Sequence, residues 1–167
     1  MKRSLRVVVV TESFLPQVNG VTNSVLRILE YLRAQGHQAL VIAPESAGGV
    51  TEYAGFRVKR VPSLEMKGLL PLGFPQKAIE PLIDGFNPDV VHLASPFFLG
   101  NYASRVAERL GIPTLSIYQT DIAGFARHYG LTMAHDSLKR WVAKIHSRTT
   151  RTLAPSNWSC EDLRNSG

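Results

Sequence analysis

The chain has 167 residues, 44% hydrophobic and 19% charged, with a formal net charge of +6. These values fit about one globular domain with a real core and exclude a disordered, collagenous or low-complexity chain. The single cysteine, Cys160, rules out an intrachain disulfide and points to a reducing compartment. The positive excess points to an anionic partner (nucleic acid, a phosphorylated small molecule or an anionic membrane) or to a basic surface that is merely solvated.

Lys2 and Arg3 precede only a short apolar run, Val7 to Val10, soon broken by Glu12. That run is too short for a signal peptide or a membrane span, so a cytoplasmic location is expected. Leu5 to Thr11 reads as a parallel strand buried on both faces. From Gly20 to Gln35, Val21, Val25, Ile28, Leu29 and Leu32 share one helical face, and Gly36 supplies a left-handed C-terminal cap. Gln38 to Ala43 is a second strand. Weaker strands follow at Val50 to Tyr53 and Phe56 to Val61, around Ala54-Gly55. Residues 62–75 read as irregular, and helix resumes from Gln76 to Phe86.

Asp89 to Ala94 is the next buried strand. Ser95 is a natural N-cap, Pro96 a natural first helical residue, and that helix runs to about Leu110 before Gly111 and Pro113. Thr114 to Gln119 is a strand, Ile122 to Tyr129 a short helix and Ala134 to Arg148 a longer one. Thr150 to Ala154 is a last strand, and Ser156 caps a final helix. The series is βαβ throughout, which predicts a doubly wound, mostly parallel, Rossmann-like sheet of order 3-2-1-4-5-6. The final helix stops soon after it starts, so the chain reads as one dissected domain, 1–167.

Ligands of such sheets bind beyond the strand carboxyl ends, where strand order reverses. There, Gly20 opens the first helix and lets an anion approach its free amides, although Asn19-Gly20 also fits a plain turn. No G-x-G-x-x-G or Walker A pattern is present, which argues against dinucleotide and P-loop sites. His92 lies inside a strand and reads as a satisfied core histidine. Asp121 could simply cap the helix that follows it. His128, His135, Asp136 and His146 share no metal-ligand spacing, so no metal site is expected.

Four blocks together carry a resemblance. Thr11-Glu12-Ser13-Phe14-Leu15-Pro16 with Asn19-Gly20-Val21, then Phe86-Asn87-Pro88-Asp89-Val90-Val91-His92, Tyr118-Gln119-Thr120-Asp121 and Ala154-Pro155-Ser156 resemble, in order and spacing, family 4 retaining glycosyltransferases of the two-domain GT-B type. Within that family the likeness is to actinobacterial GDP-mannose-dependent α-mannosyltransferases that build lipid-linked mannosides. The resemblance implies that the chain is the N-terminal, acceptor-side domain, inactive without a C-terminal donor-binding domain. It implies a nucleotide-sugar donor as co-substrate, no cofactor and no metal, while scattered basic residues with no aromatic platform or helix-turn-helix spacing argue against nucleic acid.

By position, the resemblance places Asn19, Gly20 and Val21 at the donor diphosphate, with asparagine standing where many members have glycine. Gln119, where many members have histidine, and Asp121 become the catalytic candidates, for sugar-hydroxyl contact and acceptor orientation. Glu12, Pro16, Ser95, Tyr118 and Thr120 become acceptor or sugar contacts. The apolar, lysine-flanked segment around Leu69, Leu70 and Phe74, with Lys59, Arg60, Lys67 and Lys77, implies docking on an anionic membrane face. The competing reading is a non-catalytic nucleotide or sugar-phosphate module on the same sheet.

Overall fold

The computed structural model describes residues 3–64, 72–73, 78–94, 96–119 and 135–166. Its elements are β1 (Arg6–Thr11), α1 (Gly20–Ala34), β2 (Gln38–Pro44), β3 (Glu52–Tyr53), β4 (Phe56–Val61), β5 (Ser63–Leu64), β6 (Leu72–Gly73), α2 (Ile79–Phe86), β7 (Val90–Ala94), α3 (Phe98–Arg109), β8 (Thr114–Ile117), α4 (His135–Ser147), β9 (Arg151–Leu153) and α5 (Asn157–Asn165).

The main sheet runs β3-β4-β2-β1-β7-β8-β9. All its ladders are parallel except β3–β4. Leaving out the short β3, the order is the 3-2-1-4-5-6 that the βαβ reading predicts. β1 is the central strand, and Val8, Val9 and Val10 are almost fully buried. Burying each contributes roughly 1.5–3 kcal/mol. Successive residues feed opposite faces. Val8 and Val10 join Leu40, Ile42 and the side chains of α2 and α3, while Val7 and Val9 join Val41, Val58 and the α1 side chains Val25 and Leu29. A third cluster of Phe97, Tyr118 and Val142 fixes α4, with Trp141 edge-on to Phe97 at 4.6 Å.

Local departures from the sequence reading have physical causes. The strand expected over Val50 to Tyr53 is Glu52–Tyr53, which turns through Ala54 (φ 51) and Gly55 (φ 76) in a tight antiparallel hairpin into β4. Part of the stretch expected to be irregular pairs instead, Ser63–Leu64 against Leu72–Gly73. Gly36 takes φ 72 immediately beyond α1, the left-handed position expected of it. The helix expected from Pro96 begins at Phe98, and its N-cap, Phe97, provides no capping side chain. The short helix expected at Ile122 to Tyr129 lies outside the described residues.

Candidate functional site

β1, β7 and β8 are adjacent and parallel, so the segments that follow them leave the sheet along one rim. Chain order reverses at β1, flanked by β2 and β7, which is where open α/β sheets hold ligands.

The segment after β1 is built by short polar side chains. Asn19, extended at φ −148, is the N-cap of α1 and accepts the Thr22 N–H through Oδ1 at 2.9 Å. Its Nδ2 donates to Ser13 Oγ at 2.8 Å, and that hydroxyl shares a 3.1 Å hydrogen bond with Thr22 Oγ1. Thr11 Oγ1 donates to the Ser13 carbonyl at 2.8 Å. Asn19 therefore works through its side chain, as a cap and a loop pin. The N–H groups of Gly20 and Val21 make no hydrogen bond within the described residues. Gly20 is exposed, and a Cβ built on it meets nothing within 4 Å. Neither φ nor packing demands glycine there. Two free amides at a helix N-terminus, without side-chain cover, can receive an anion. Pro16 follows a cis peptide bond and is exposed.

Glu12 does something the sequence does not announce. Its Oε1 accepts the backbone N–H groups of Phe97 and Gly100, each at 2.9 Å, so it caps α3 from the neighbouring loop. A Cβ at position 100 would stand 2.4 Å from Pro96 Cβ. Oε2 is buried with no hydrogen-bond partner. Burial raises the Glu12 pKa from 4.5 to about 7, against the lowering effect of the amides of Gly100, Phe97 and Leu99. The expectation of Glu12 as a sugar contact gives way, for Oε1, to a structural tether between two rim segments.

Arg60 is corrected in the same way. Its guanidinium donates to the carbonyls of Leu15 (2.7 Å), Pro44 (2.9 Å) and Val50 (3.0 Å), and it lies 5.6 Å from the Phe14 ring centroid. Half-buried and fully engaged, it clamps the β1–α1 segment from behind and is not available to a membrane. Strand parity separates it from Lys59, which is exposed on the opposite face of β4. That parity was readable in the sequence, whereas nothing local marks the partner of Glu12.

After β8, Tyr118 is buried. Its hydroxyl donates to Asp162 Oδ2 at 2.7 Å, and its ring meets His146 edge-on at 5.4 Å. Asp162 also holds Lys139 at 2.6 Å. Burial, with Asp162 beside it, raises the Tyr118 pKa. Tyr118 thus packs α5 onto the sheet and is not placed as a sugar contact. Gln119, next in sequence, leaves Nε2 buried with no partner, and Gln17 in the β1–α1 segment leaves Oε1 in the same state. Unsatisfied amide groups at a sheet rim are what a polyhydroxylated ligand would satisfy. Ser95, Thr120 and Asp121 lie outside the described residues, as do Lys67, Leu69, Leu70, Phe74 and Lys77.

Two further histidines are buried. Neither ring nitrogen of His92 makes a hydrogen bond of good geometry, the Leu115 backbone being a weak partner, so the expectation of a satisfied core histidine does not hold. Burial lowers its pKa to about 4, against a smaller raising contribution from the Leu115 backbone. His146 shares a 2.9 Å bond between Nδ1 and Ser116 Oγ, in a cluster with Thr149 and Thr152, and burial lowers it to about 4 as well. Among the described residues no three His, Cys, Asp or Glu side chains group as metal ligands.

This sheet, with its reversal at β1 and its amide-bearing rim, has the GT-B glycosyltransferase architecture. The Anabaena Alr3699/HepE structure in complex with UDP-glucose superposes over 98% of this chain and 41% of its own, with a TM-score of 0.69 at 13% identity. The model of Glycosyltransferase Family 4 matches residues 18–167, and the chain belongs to that family. It is 47% identical, over 99% of its length, to a GDP-mannose-dependent alpha-mannosyltransferase of Corynebacterium glutamicum. It is 48% identical, over 95%, to one of Mycobacterium tuberculosis. The chain spans 41% and 44% of those two relatives.

Proposed function

We propose that this chain is the acceptor-side domain of a retaining, GDP-mannose-dependent α-mannosyltransferase that passes mannose to a lipid-linked or glycan acceptor. The observation that carries the reading is the α1 N-terminus. Gly20 and Val21 offer unbonded amides at the sheet's switch point, and Gly20 is a glycine for which the fold itself has no need. Such a pair suits the diphosphate of a nucleotide sugar, where charge builds as the sugar–phosphate bond breaks. Gln119 and Asp121 are the residues this reading gives to sugar hydroxyls and acceptor orientation, and the unpartnered Nε2 of Gln119 supports the first of these. Glu12 and Arg60 hold the rim segments in place, with Ser95 and Thr120 beside the acceptor. No cofactor is required.

A second, donor-binding domain is the partner the reading requires, to supply the nucleoside pocket and the cations that offset the departing phosphate. The isolated chain is expected to transfer negligible mannose. Radiolabelled GDP-mannose, membrane extract and the chain, alone and joined to such a domain, make the test. Turnover by the chain alone at the level of the joined protein would overturn it.

Among the described residues no helix is long and apolar enough to cross a membrane. The reading instead has Lys59, Lys67, Leu69, Leu70, Phe74 and Lys77 docking the protein reversibly on an anionic cytoplasmic leaflet, at about 1 kcal/mol per basic residue near the surface. Flotation with neutral and anionic vesicles tests this, and equal recovery in both would end it.

A further inference from the structure

A cavity lies at the opposite end of the strands from the rim. It has a volume of about 530 Å³ and sits between α2, the starts of β2 and β4, and the C-terminal end of α1. Its apolar side is made by Leu40, Leu82 and Phe86, and Gly85 leaves room beside them, since a Cβ there meets nothing within 4 Å. Its polar side is cationic: Arg33, Arg57 and Lys59 line it, and no carboxylate does. Arg57 and Lys59 alternate with Phe56 and Val58 on β4, so they share the α2 face, roughly 7 Å apart along the strand. Arg33 comes from the other side of the hairpin. Its guanidinium carbon lies 3.2 Å from where a Cβ on Gly55 would stand, so the glycine leaves it a resting place over the turn.

None of the three cations is in a hydrogen bond or ion pair within the described residues. Nearby acidic groups are committed elsewhere or stand off. Glu30 accepts the Tyr53 hydroxyl and Glu80 is paired with Arg109. Glu52, across the ladder from Arg57, is not in ion-pair contact with it. Like charges gathered at one concavity raise the local potential and concentrate an anion there. Two guanidinium groups and an ammonium together match the oxygens of a phosphate, and the apolar side matches an attached hydrocarbon body.

We propose that the cavity between α2 and β4 binds a phosphate ester carrying an apolar group, with Arg33, Arg57 and Lys59 on the phosphate and Leu82 and Phe86 on the apolar body. The site depends on neither the α1 N-terminus nor residues 65–71 and 74–77; it shares Lys59 with the membrane-docking reading, and binding of the monomeric ester at Arg57 and Leu82 tells the two apart. The ester can come from a soluble metabolite or from a lipid headgroup, and the experiment separates the two.

The test is amide NMR of the ¹⁵N-labelled chain titrated with monomeric dihexanoyl phosphatidic acid, with inorganic phosphate, and with the neutral dihexanoyl glycerol. In parallel the chain is sedimented with phosphatidylcholine vesicles with and without phosphatidic acid. The amides of Gly55, Arg57, Leu82 and Gly85 are expected to shift with the phosphatidic acid, to shift less with phosphate and to stay put with the neutral lipid. The pair R57A/K59A should weaken binding by about tenfold or more. Gly85→Leu, which fills the cavity without touching a charge, should weaken the amphiphile and spare inorganic phosphate. Capture by phosphatidic acid vesicles that both R57A/K59A and the charge-neutral Gly85→Leu abolish assigns the site to a headgroup. Binding of the monomer without vesicle capture assigns it to a soluble ester. The proposal is overturned if no anion moves these amides at millimolar concentration, or if both variants, with native-like spectra, bind as the parent does.

Discussion

The Glu12 carboxylate accepts the Gly100 N–H at 2.9 Å across 88 residues of sequence. It thereby joins the segment after β1 to the first turn of α3 and ties two walls of the candidate site together. The cap has an uncommon protonation behaviour. Its folded-state pKa, about 7, lies above the ordinary 4.5, so between those values the native state holds a proton that the unfolded chain gives up. The stabilisation this provides is complete below about pH 4.5 and is lost as pH rises through 7, on the order of 3 kcal/mol in all. Glu12→Gln keeps an oxygen for the two amides and removes the titration. Urea melts at several pH values should show the parent weakening across this window relative to the Gln variant. Parallel curves would remove Glu12 as the cause.

Gly100 and Gly20 make a matched pair of substitutions. Alanine at 100 forces a Cβ to 2.4 Å from Pro96, so α3 must shift and the Glu12 bonds lengthen. A loss of about 1–3 kcal/mol is expected in denaturant melts.

Alanine at 20 meets open space in a helical first turn. Stability should hold or rise by up to about 1 kcal/mol. If the free amides serve a diphosphate, the same change should raise the KM for GDP-mannose of a transferase carrying this chain while leaving its melting temperature unharmed. An unchanged KM would remove Gly20 from the donor site.

The histidines work against Glu12. His92 and His146 are buried neutral with pKa values near 4, below the ordinary 6.5, so the unfolded state binds more protons between those values. Their contribution is present above about pH 6.5 and is lost as pH falls towards 4, on the order of 3 kcal/mol each. His92→Leu removes two unsatisfied nitrogens and should stabilise the chain at pH 5 by about 1–3 kcal/mol. His146→Leu removes one Ser116 partner, leaving Thr149 and Thr152, and should destabilise at pH 7 by a cost that shrinks as pH falls towards 4. Denaturant midpoints of the two variants at pH 5 and pH 7 check the contrast.

Much of the fold was legible because its cause is local. Apolar runs such as Val7 to Val10 mark parallel strands, and the Gly36 cap and the βαβ alternation constrain the topology. Asn19-Gly20 was legible as the start of a helix. What escaped was set by distance. Phe98 begins α3, two residues after Pro96, and the oxygen that caps it comes from Glu12. The hydroxyl of Tyr118 is spent on Asp162, 44 residues on, so its fate could not be read from Tyr118-Gln119 alone. Arg60 was grouped with its basic neighbours by composition, although the period of a strand already set it apart from Lys59.

That alternation makes β4 intolerant of a shift in reading. Inserting one residue after Phe56 would bring the Lys59 ammonium among Leu15, Pro44 and Val50, where a forked donor with three acceptors belongs, and push the guanidinium into the buried place of Val61; deleting one would put Val61 there and leave the guanidinium in open water. Length variation along this edge should therefore collect in the Ala54-Gly55 bend, outside the strand whose every second side chain has a separate duty.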